Sequence, residues 1–290
     1  GLGKILEHRE INKRVAAWMD ANPFSVHVPV DSPAANFSIC RMAKRRGKKV
    51  VHLVAPQVWA WGAWRVNKLR RLTDFVCCLL PFEEEYFAGK NVPARFVGHP
   101  LFDEKPDEGR MIEQAASLPR GERRIALMPG SRPSEITKNF PLLIEAYRRL
   151  RRNFPDIVGV VAGARADLEP TLREIAEQTP HAPGCESGWP GSLEFSAGKT
   201  DAVIHWSTLA LEIARQARPM VVVYKSSPLV YHLLARWLLS TAHYSLPNLV
   251  AGRKIVPELV PHFGGPEALV DEAVALLERP ELADQQRRDL

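Results

Sequence analysis

The chain has few cysteines and no long hydrophobic run, and each of these absences excludes a class of protein. Its 290 residues include four cysteines, two of them adjacent at Cys77 and Cys78, with no Cys-x-x-Cys pair. We therefore expect neither a structural zinc site nor a disulfide framework, and the cysteine usage favours a reducing cytoplasm. No window approaches the roughly 18 uninterrupted apolar residues that a membrane-spanning helix needs.

Several familiar chemical motifs are also missing. The sequence contains no Walker A motif, no Gly-x-Gly-x-x-Gly fingerprint and no His-Glu-x-x-His helix. Its nine histidines are scattered along the chain, which gives little support to a histidine metal cluster. We therefore expect no metal and no other cofactor.

What remains is the composition of a folded, water-soluble protein. Hydrophobic residues make up 46% of the chain and charged residues 25%, and 290 residues are more than one core usually fills. Lysine and arginine exceed aspartate and glutamate by 39 to 33, a net charge of +6. This excess favours an anionic partner, which could be nucleic acid, a membrane surface or a phosphorylated small molecule.

The order of the segments predicts an α/β protein with two Rossmann-like lobes. Strands that read as near-continuous apolar runs alternate with helical segments, which is typical of parallel sheets covered on both faces. We expect a partial first lobe over residues 1–104, a linker over 105–122 and a second lobe over 123–290. The stretch 181–200 shows no clear element, and 230–239 looks helical. Two such lobes usually bind a ligand in the cleft between them.

The most informative local pattern follows the first strand of the second lobe. There the chain runs into Gly130, Ser131 and Arg132, and a helix opens about two residues later with Glu135 in its first turn. Glycine lets the backbone approach a ligand, the amides of a helix start bind anions, and a guanidinium matches phosphate geometry. The alternative interpretation is a tight strand-to-helix turn with a solvated arginine.

A second corner of the same kind follows the strand that ends at His205. Ser207 and Thr208 precede a helix that carries Glu212 one turn in. Two such corners at strand carboxyl ends suit a diphosphate better than one does, and Glu212 could accept hydrogen bonds from ribose hydroxyls. The alternatives are plain helix capping by the two hydroxyl residues and an exposed glutamate.

Two further candidates lie in turns. Asp31 follows an apolar strand, where a carboxylate could take a proton from an attacking hydroxyl, although an Asx-turn or a helix cap explains it equally well. Asn248 lies in the segment Ser245–Arg253, where Pro247 and Gly252 shape a loop. For that segment the alternative is an ordinary surface loop.

Basic helical segments interleaved with tryptophan mark the first lobe. Cations cluster over 41–49 and 65–71, beside Trp59, Trp61 and Trp64. Nucleic-acid binding, contact with an anionic membrane surface and a solvated helix face are the three interpretations, and the solvated face is the default.

Six strings, in order along nearly the whole chain, resemble the lipid-A-disaccharide synthase family, which has the two-lobed GT-B glycosyltransferase fold. The strings cover residues 55–61 (Ala-Pro-Gln-Val-Trp-Ala-Trp), 80–83, 96–100, 128–132 with Glu135, 219–225, and 245–253 (Ser-Leu-Pro-Asn-Leu-Val-Ala-Gly-Arg). The first and the last are specific, whereas Pro-Gly-Ser-Arg alone is not.

The resemblance implies an inverting transfer of diacylglucosamine from UDP-diacylglucosamine to lipid X (diacylglucosamine 1-phosphate), with release of UDP. It implies that Asp31 is the general base and that the second lobe binds the nucleotide-sugar. The residues implied in that binding are Gly130, Ser131, Arg132, Glu135, Ser207, Thr208, Glu212, Tyr224, Asn248 and Arg253. No dissociable metal is implied, and the acylated substrates favour a cytoplasmic protein peripheral to the inner membrane.

The family begins with a strand and a Gly-Glu-x-Ser-Gly-Asp loop that are absent from this sequence. We therefore expect a first lobe without its N-terminal strands. Either the chain is a fragment or the missing strands come from elsewhere, and we do not expect this chain alone to be fully active. Two alternatives stay open: another GT-B UDP-sugar transferase or epimerase with a non-lipid substrate, and a non-catalytic nucleic-acid-binding protein. A homo-oligomer also stays open.

Overall fold

The computed structural model describes most of the chain. The described residues are 2–60, 62–103, 123–163, 166–179, 193–195, 202–205, 209–228 and 241–290, with single positions at 109, 113, 116 and 231. Within them, no helix combines the length and apolar character needed to cross a bilayer.

The chain forms two compact units. One comprises Gly1–Asp103 with Leu234–Thr241, and the other comprises Glu104–Leu233 with Ala242–Leu290. The predicted linker 105–122 lies almost wholly outside the described residues, as does the predicted helix 230–239. The domain bounds expected from the sequence therefore stay a prediction.

The first unit contains a parallel sheet in the order β1-β2-β3-β4. Its strands are β1 (Val26–His27), β2 (Lys49–Leu53), β3 (Phe75–Cys78) and β4 (Ala94–Phe96). Its helices are α1 (Leu2–Ala21), α2 (Pro33–Arg45), α3 (Val66–Leu72) and α4 (Pro81–Ala88), with 3-10 turns at Ala63–Arg65 and Pro100–Phe102.

Alternation along β2 explains how the first unit packs. Val50 and His52 are buried whereas Lys49 and Leu53 are exposed, so one face of the strand meets the core. Val50 packs in the cluster that includes Phe37, Cys40 and Ala43 of α2. The helix therefore covers the buried face of the sheet.

The second unit contains a parallel sheet in the order β10-β9-β8-β5-β6-β7. Its strands are β5 (Arg123–Leu127), β6 (Ile157–Val161), β7 (Leu193–Phe195), β8 (Ala202–His205), β9 (Met220–Lys225) and β10 (Glu258–His262). Its helices are α5 (Pro133–Asn153), α6 (Glu169–Gln178), α7 (Leu209–Arg215), α8 (Leu246–Ala251), α9 (Glu267–Glu278) and α10 (Pro280–Asp289), with a 3-10 turn at Ala166–Leu168.

A buried tyrosine fastens α5 to the sheet of the second unit. All of β6 is buried, as expected for a central parallel strand. Tyr147 of α5 is 0% exposed, and its hydroxyl donates to the carbonyl of Ile157 and accepts from the amide of Gly159. Because both polar groups are satisfied, this large side chain fills the core without an unpaired atom.

The α/β class with parallel sheets is confirmed, but some elements differ from the expectation. The stretch 181–200 contains β7, and the chain after Tyr244 contains α8, β10 and α10, which the sequence pattern did not predict. The string Ser245–Arg253 was expected to be a loop, yet most of it is helix, which Gly252 ends at a left-handed φ of 66°.

Candidate functional site

The order of strands in the second unit identifies the carboxyl ends of β5 and β8 as the expected place for a ligand. From β5 the chain proceeds outward through β6 to β7, whereas β8, β9 and β10 continue on the opposite side. The connection therefore reverses direction between β5 and β8. In open parallel sheets, ligands bind outside the carboxyl ends of the strands at such a point.

The turn after β5 is built around one buried carboxylate. Gly130 has a φ of 116°, and a Cβ added there would lie 2.9 Å from Cβ of Glu135. Oε2 of Glu135 accepts from the amides of Ser131 and Arg132, both at 3.3 Å. Only glycine fits this close turn without strain. The glutamate lies at the third position of α5, where its carboxylate caps the helix start.

This arrangement corrects one expectation. The amides at the start of α5 were expected to hold a ligand anion, but the amides of Ser131 and Arg132 already donate to the protein's own carboxylate. Glu135 itself is 6% exposed, and its carboxylate organises the turn. What the turn presents outward is the side chain of Arg132, which is 73% exposed.

The guanidinium of Arg132 is held in one orientation. Its Nη1 donates to Oε1 of Glu135 at 2.6 Å. An arginine has five N–H donors, so this ion pair fixes the group while using one of them. Tyr224, near the end of β9, is half-buried and interacts electrostatically with both residues. Burial, and then the charge of Glu135, raise the pKa of Tyr224, and Arg132 opposes them.

Of the second predicted strand-to-helix turn, the structure describes the strand β8 and the helix α7 but not the residues between them. In the sheet β8 lies between β5 and β9, with Ile204 beside Leu127 and His205 beside Val222. Ser207 and Thr208 lie outside the described residues. Glu212 is exposed on α7. Their roles in binding remain predictions, supported by the neighbouring carboxyl ends of β5, β8 and β9.

Two other predicted binding residues have structural partners. Asn248 is 0% exposed; its Oδ1 accepts from the amides of Ile255 and Val256, and its Nδ2 donates to the carbonyl of Val256. These bonds fix the chain between α8 and β10, and the expected role of Asn248 in nucleotide-sugar binding stays a prediction. Arg253 is exposed and forms an ion pair with Asp289 at 2.6 Å.

In the first unit, Asp31 lies four residues beyond the end of β1, directly after an isolated parallel bridge between Val30 and Leu53. Its side chain is exposed and its φ is 47°, a left-handed conformation that few residues other than glycine adopt. Val54, just after β2, also has a positive φ of 61°. Such outliers concentrate at functional sites, because the surrounding structure must hold them in place.

Sequence reasoning missed a second buried carboxylate, Glu83, which braces the loop after β2. It is 2% exposed; Oε1 accepts from Nε1 of Trp59 at 2.9 Å and Oε2 accepts from the amides of Leu79 and Leu80. Burial raises the pKa of Glu83, and these three donors oppose the rise. Trp59 and Glu83 both lie in strings that carry the family resemblance, and that resemblance was the available signal.

The described residues contain no cluster of three or more metal-ligating side chains. Cys40, Cys77 and Cys78 are free thiols. Burial raises the pKa of Cys40 to about 11 and that of Cys78 to about 12, so both stay protonated at neutral pH. A protonated thiol is a poor nucleophile and a poor metal ligand.

Comparison with known protein sequences identifies a family. A family model described as lipid-A-disaccharide synthetase matches residues 1–289. The lipid-A-disaccharide synthase of Anaeromyxobacter dehalogenans (strain 2CP-C) is 42% identical over 255 residues, which is 86% of this chain and 64% of that protein. The chain thus spans less than two thirds of the length of this curated relative.

Solved structures resemble the chain in fold. UDP-GlcNAc 2-epimerase from Neisseria meningitidis, bound to UDP-GlcNAc, aligns with a TM-score of 0.62 at 12% identity, over 97% of this chain and 75% of that one. The spinosyn rhamnosyltransferase SpnG aligns with a TM-score of 0.54 at 14% identity, over 98% and 73%. At such low identity the likeness shows the fold alone, and it confirms the GT-B type.

Proposed function

The chain belongs to the lipid-A-disaccharide synthase family, and from this membership we propose that it works as an inverting glycosyltransferase. The reaction moves diacylglucosamine from UDP-diacylglucosamine to lipid X, forms the lipid A disaccharide and releases UDP. The observation that carries this proposal is the outward-facing guanidinium of Arg132, which Glu135 fixes at the point where the sheet reverses direction.

The donor side of the reaction is assigned to the second unit. Arg132 would bind the diphosphate together with Ser207 and Thr208, with Gly130 and Ser131 forming the turn and Glu135 holding it. Glu212 would accept hydrogen bonds from the ribose, and Tyr224, beside Arg132, would contact the nucleotide. A guanidinium oriented before the reaction stabilises the charge that develops on the departing UDP without reorganising. Arg253 would contribute through the N–H groups that its ion pair with Asp289 does not use.

The acceptor side is assigned to Asp31. The attacking hydroxyl of lipid X would bond to the anomeric carbon of the donor as the bond from that carbon to UDP breaks. The hydroxyl proton would pass to the carboxylate of Asp31, which is exposed directly after the bridge between Val30 and Leu53. Neither step requires a metal.

The assignment of Asp31 is tested by the Asp31→Asn variant of the full-length protein. We expect kcat to fall about 100-fold, because general base catalysis typically contributes 10²–10⁴-fold. The affinity for UDP should change little. Asp20→Asn is a matched control, since Asp20 is an aspartate of the same unit that pairs with Arg46 at the end of α1. Unchanged turnover in Asp31→Asn would remove the assignment.

A membrane-surface contact is assigned to the first unit. Residues 1–103 contain 16 lysines and arginines against 9 acidic residues, whereas residues 104–290 contain 23 against 24. Trp18 and Trp64 are 56% and 60% exposed, and Arg65 lies over the ring of Trp64 at 5.8 Å. Tryptophan beside cations suits an anionic lipid interface, here the cytoplasmic side of the inner membrane.

Sedimentation with vesicles tests that contact. The protein should bind vesicles rich in anionic lipid, and Trp64→Ala should weaken that binding. Neutral vesicles should bind it less, and added salt should release it. Equal binding to both vesicle types, or preferential salt-sensitive binding to nucleic acid, would contradict the assignment. Light scattering of the same samples reports whether a homo-oligomer forms.

Product analysis tests the function as a whole. The full-length protein, given UDP-diacylglucosamine and lipid X, should release UDP and form a disaccharide. Transfer to soluble sugars but not to lipid X, or epimerisation of UDP-GlcNAc, would overturn the proposed substrate in favour of another GT-B reaction.

A further inference from the structure

The backbone at Asp31 is strained and must be held by its surroundings. Asp31 has a φ of 47°, and the next residue, Ser32, has a φ of 21°. For residues other than glycine such conformations cost of the order of 1–3 kcal/mol each, and they persist only when neighbouring groups enforce them. The direction in which the Asp31 side chain leaves the chain therefore depends on what binds its main chain.

Three hydrogen bonds hold that main chain. The amide of Asp31 donates to the carbonyl of Leu53 at 3.1 Å, which continues the pairing beyond β1. The carbonyl of Asp31 accepts from Nδ2 of Asn36 at 3.1 Å and is 3.0 Å from Nε2 of His52. Asn36 is half-buried, whereas His52 is 0% exposed. His52 is thus the buried side chain that fixes the carbonyl.

The bond determines the chemical state of His52. A carbonyl oxygen can only accept, so Nε2 of His52 must carry a proton. Burial lowers the pKa of His52, and the bond to Asp31 and its charge oppose this, so the ring is neutral and Nδ1 carries no proton. Nδ1 is buried and has no hydrogen-bond partner among the described residues. The titratable groups that act on the ring are His27 on β1 and Asp31 itself.

A buried ring nitrogen without a hydrogen-bond partner lowers the stability of the fold, because its desolvation is not compensated. His52 lies on the face of β2 that also buries Val50, where an apolar residue would avoid that cost. The bond from Nε2 to Asp31 is what the imidazole provides and an apolar residue does not.

We infer that His52 is a positioning residue for the reaction: a neutral, Nε2-protonated imidazole that holds the carbonyl of Asp31 and so aims the Asp31 carboxylate at the acceptor hydroxyl. The inference rests on the proposed role of Asp31 as general base. His52 touches no substrate and transfers no proton. It acts through the main chain of its neighbour.

Two substitutions of His52 in the full-length protein separate its bond from its volume. His52→Leu keeps much of the apolar volume and removes the donor, whereas the Nε2 of His52→Gln lies as many bonds from Cα as the Nε2 of histidine and can still donate. We expect kcat to fall about 10–100-fold in His52→Leu, because only the bond from Asn36 then holds the Asp31 carbonyl and the carboxylate loses its orientation, and by less than about threefold in His52→Gln. KM should change by less than about threefold in both.

His27→Leu is the matched control. His27 lies beside Val50 in the sheet and, like His52, has a buried ring nitrogen without a partner among the described residues, but no bond to Asp31. Its kcat should stay within about twofold of the unsubstituted protein. The number of UDP molecules bound per chain corrects each rate for any protein that fails to fold.

The double variant Asp31→Asn/His52→Leu decides whether His52 acts through Asp31. We expect it to be no slower than Asp31→Asn alone. Once the carboxylate of Asp31 has been removed, the loss of the group that orients it cannot lower the rate further. Nitrogen NMR of the unsubstituted protein should show the neutral Nε2-protonated form of His52.

Each contrary result has a distinct meaning. The positioning role is overturned, while the proposed function stands, by any of five results. Asp31→Asn is slow but His52→Leu is not, or His27→Leu is as slow as His52→Leu, or His52→Gln is as slow as His52→Leu. The other two are losses that multiply in the double variant and a His52 ring that is protonated on Nδ1. If Asp31→Asn turns over normally, the proposed base fails and the positioning role fails with it.

Discussion

Glu135 and Arg132 form a single structural unit at the start of α5. The carboxylate of Glu135 accepts from the guanidinium of Arg132 at 2.6 Å and from the amide of the same residue at 3.3 Å. Glu135 is buried and Arg132 is exposed. The glutamate therefore orients the arginine, and any anion that meets this turn meets a cation already in place.

Substitution of Glu135 should weaken UDP binding, although Glu135 is not expected to touch UDP. Two effects oppose each other in Glu135→Ala. Removing a negative charge near an exposed phosphate helps by about 1 kcal/mol or less, whereas losing hydrogen bonds that a charged group makes costs about 1.5–3 kcal/mol. We expect the second effect to dominate, and calorimetry should show an affinity about tenfold lower.

Glu145→Ala is the control for that measurement. Glu145 is a glutamate of the same helix and pairs with Arg149 in the same i,i+4 fashion as many surface pairs. Its loss should leave UDP affinity unchanged within about twofold. Tighter UDP binding in Glu135→Ala would show that the glutamate repels the ligand and does not orient the arginine.

The sequence predicted this corner well because the determinants are local. A strand, a glycine that must adopt a positive φ and an acidic residue in the first helical turn are all visible as neighbours along the chain. The partner of the amides of Ser131 and Arg132 could not be predicted, because a sequence does not show whether a glutamate three or four residues on folds back onto them.

The hydrogen-bond partners of residues far apart along the chain could not be predicted from the sequence. Asn248 was predicted to bind ligand, but its amide meets Ile255 and Val256 across the turn that leads into β10, a strand that the pattern did not reveal. Likewise, nothing in the run Lys49–Leu53 shows that His52 faces a carbonyl 21 residues earlier. Such contacts follow from the pairing of strands, which periodicity alone does not give.

Glu83→Ala should destabilise the first unit. The carboxylate accepts from Trp59 and from the amides of Leu79 and Leu80, so its removal leaves three donors without their acceptor in a buried place. We expect the free energy of unfolding to fall by about 3 kcal/mol, measured by urea denaturation. Glu85→Ala on the exposed side of α4 should change it by less than about 0.5 kcal/mol. Equal effects in the two variants would mean that the brace contributes nothing.

Asp74 should make the stability of the first unit depend on acid. Burial tends to raise the pKa of Asp74, but hydrogen bonds from Nζ of Lys44 and the amide of Val50, with the charges of Lys44 and Lys49, lower it below 3.8. A carboxyl whose folded pKa is depressed stabilises the fold above its ordinary pKa. That stabilisation is lost as the pH falls through the lower folded value.

Comparison with Asp74→Asn tests this pH dependence. At pH 7 the substitution should lower the free energy of unfolding by about 1–2 kcal/mol, since hydrogen bonds to a charged group are lost. The difference between the two proteins should shrink between about pH 4 and pH 2. A difference that is constant over that range would show that the charge of Asp74 is not responsible.

Calorimetric titration of UDP into Arg132→Ala tests the central claim most directly, with Arg287→Ala as the control. Arg287 forms a comparable ion pair with Asp284 at 2.6 Å. Its neighbour Gln286 accepts from the amide of Met220, which lies at the amino end of β9, so Arg287 is at the end of the strand opposite to the candidate site. If Arg132 binds the diphosphate, its loss should lower UDP affinity about 10–100-fold, and the control should stay within about twofold. Unchanged affinity in Arg132→Ala, or an equal loss in both variants, would contradict the account.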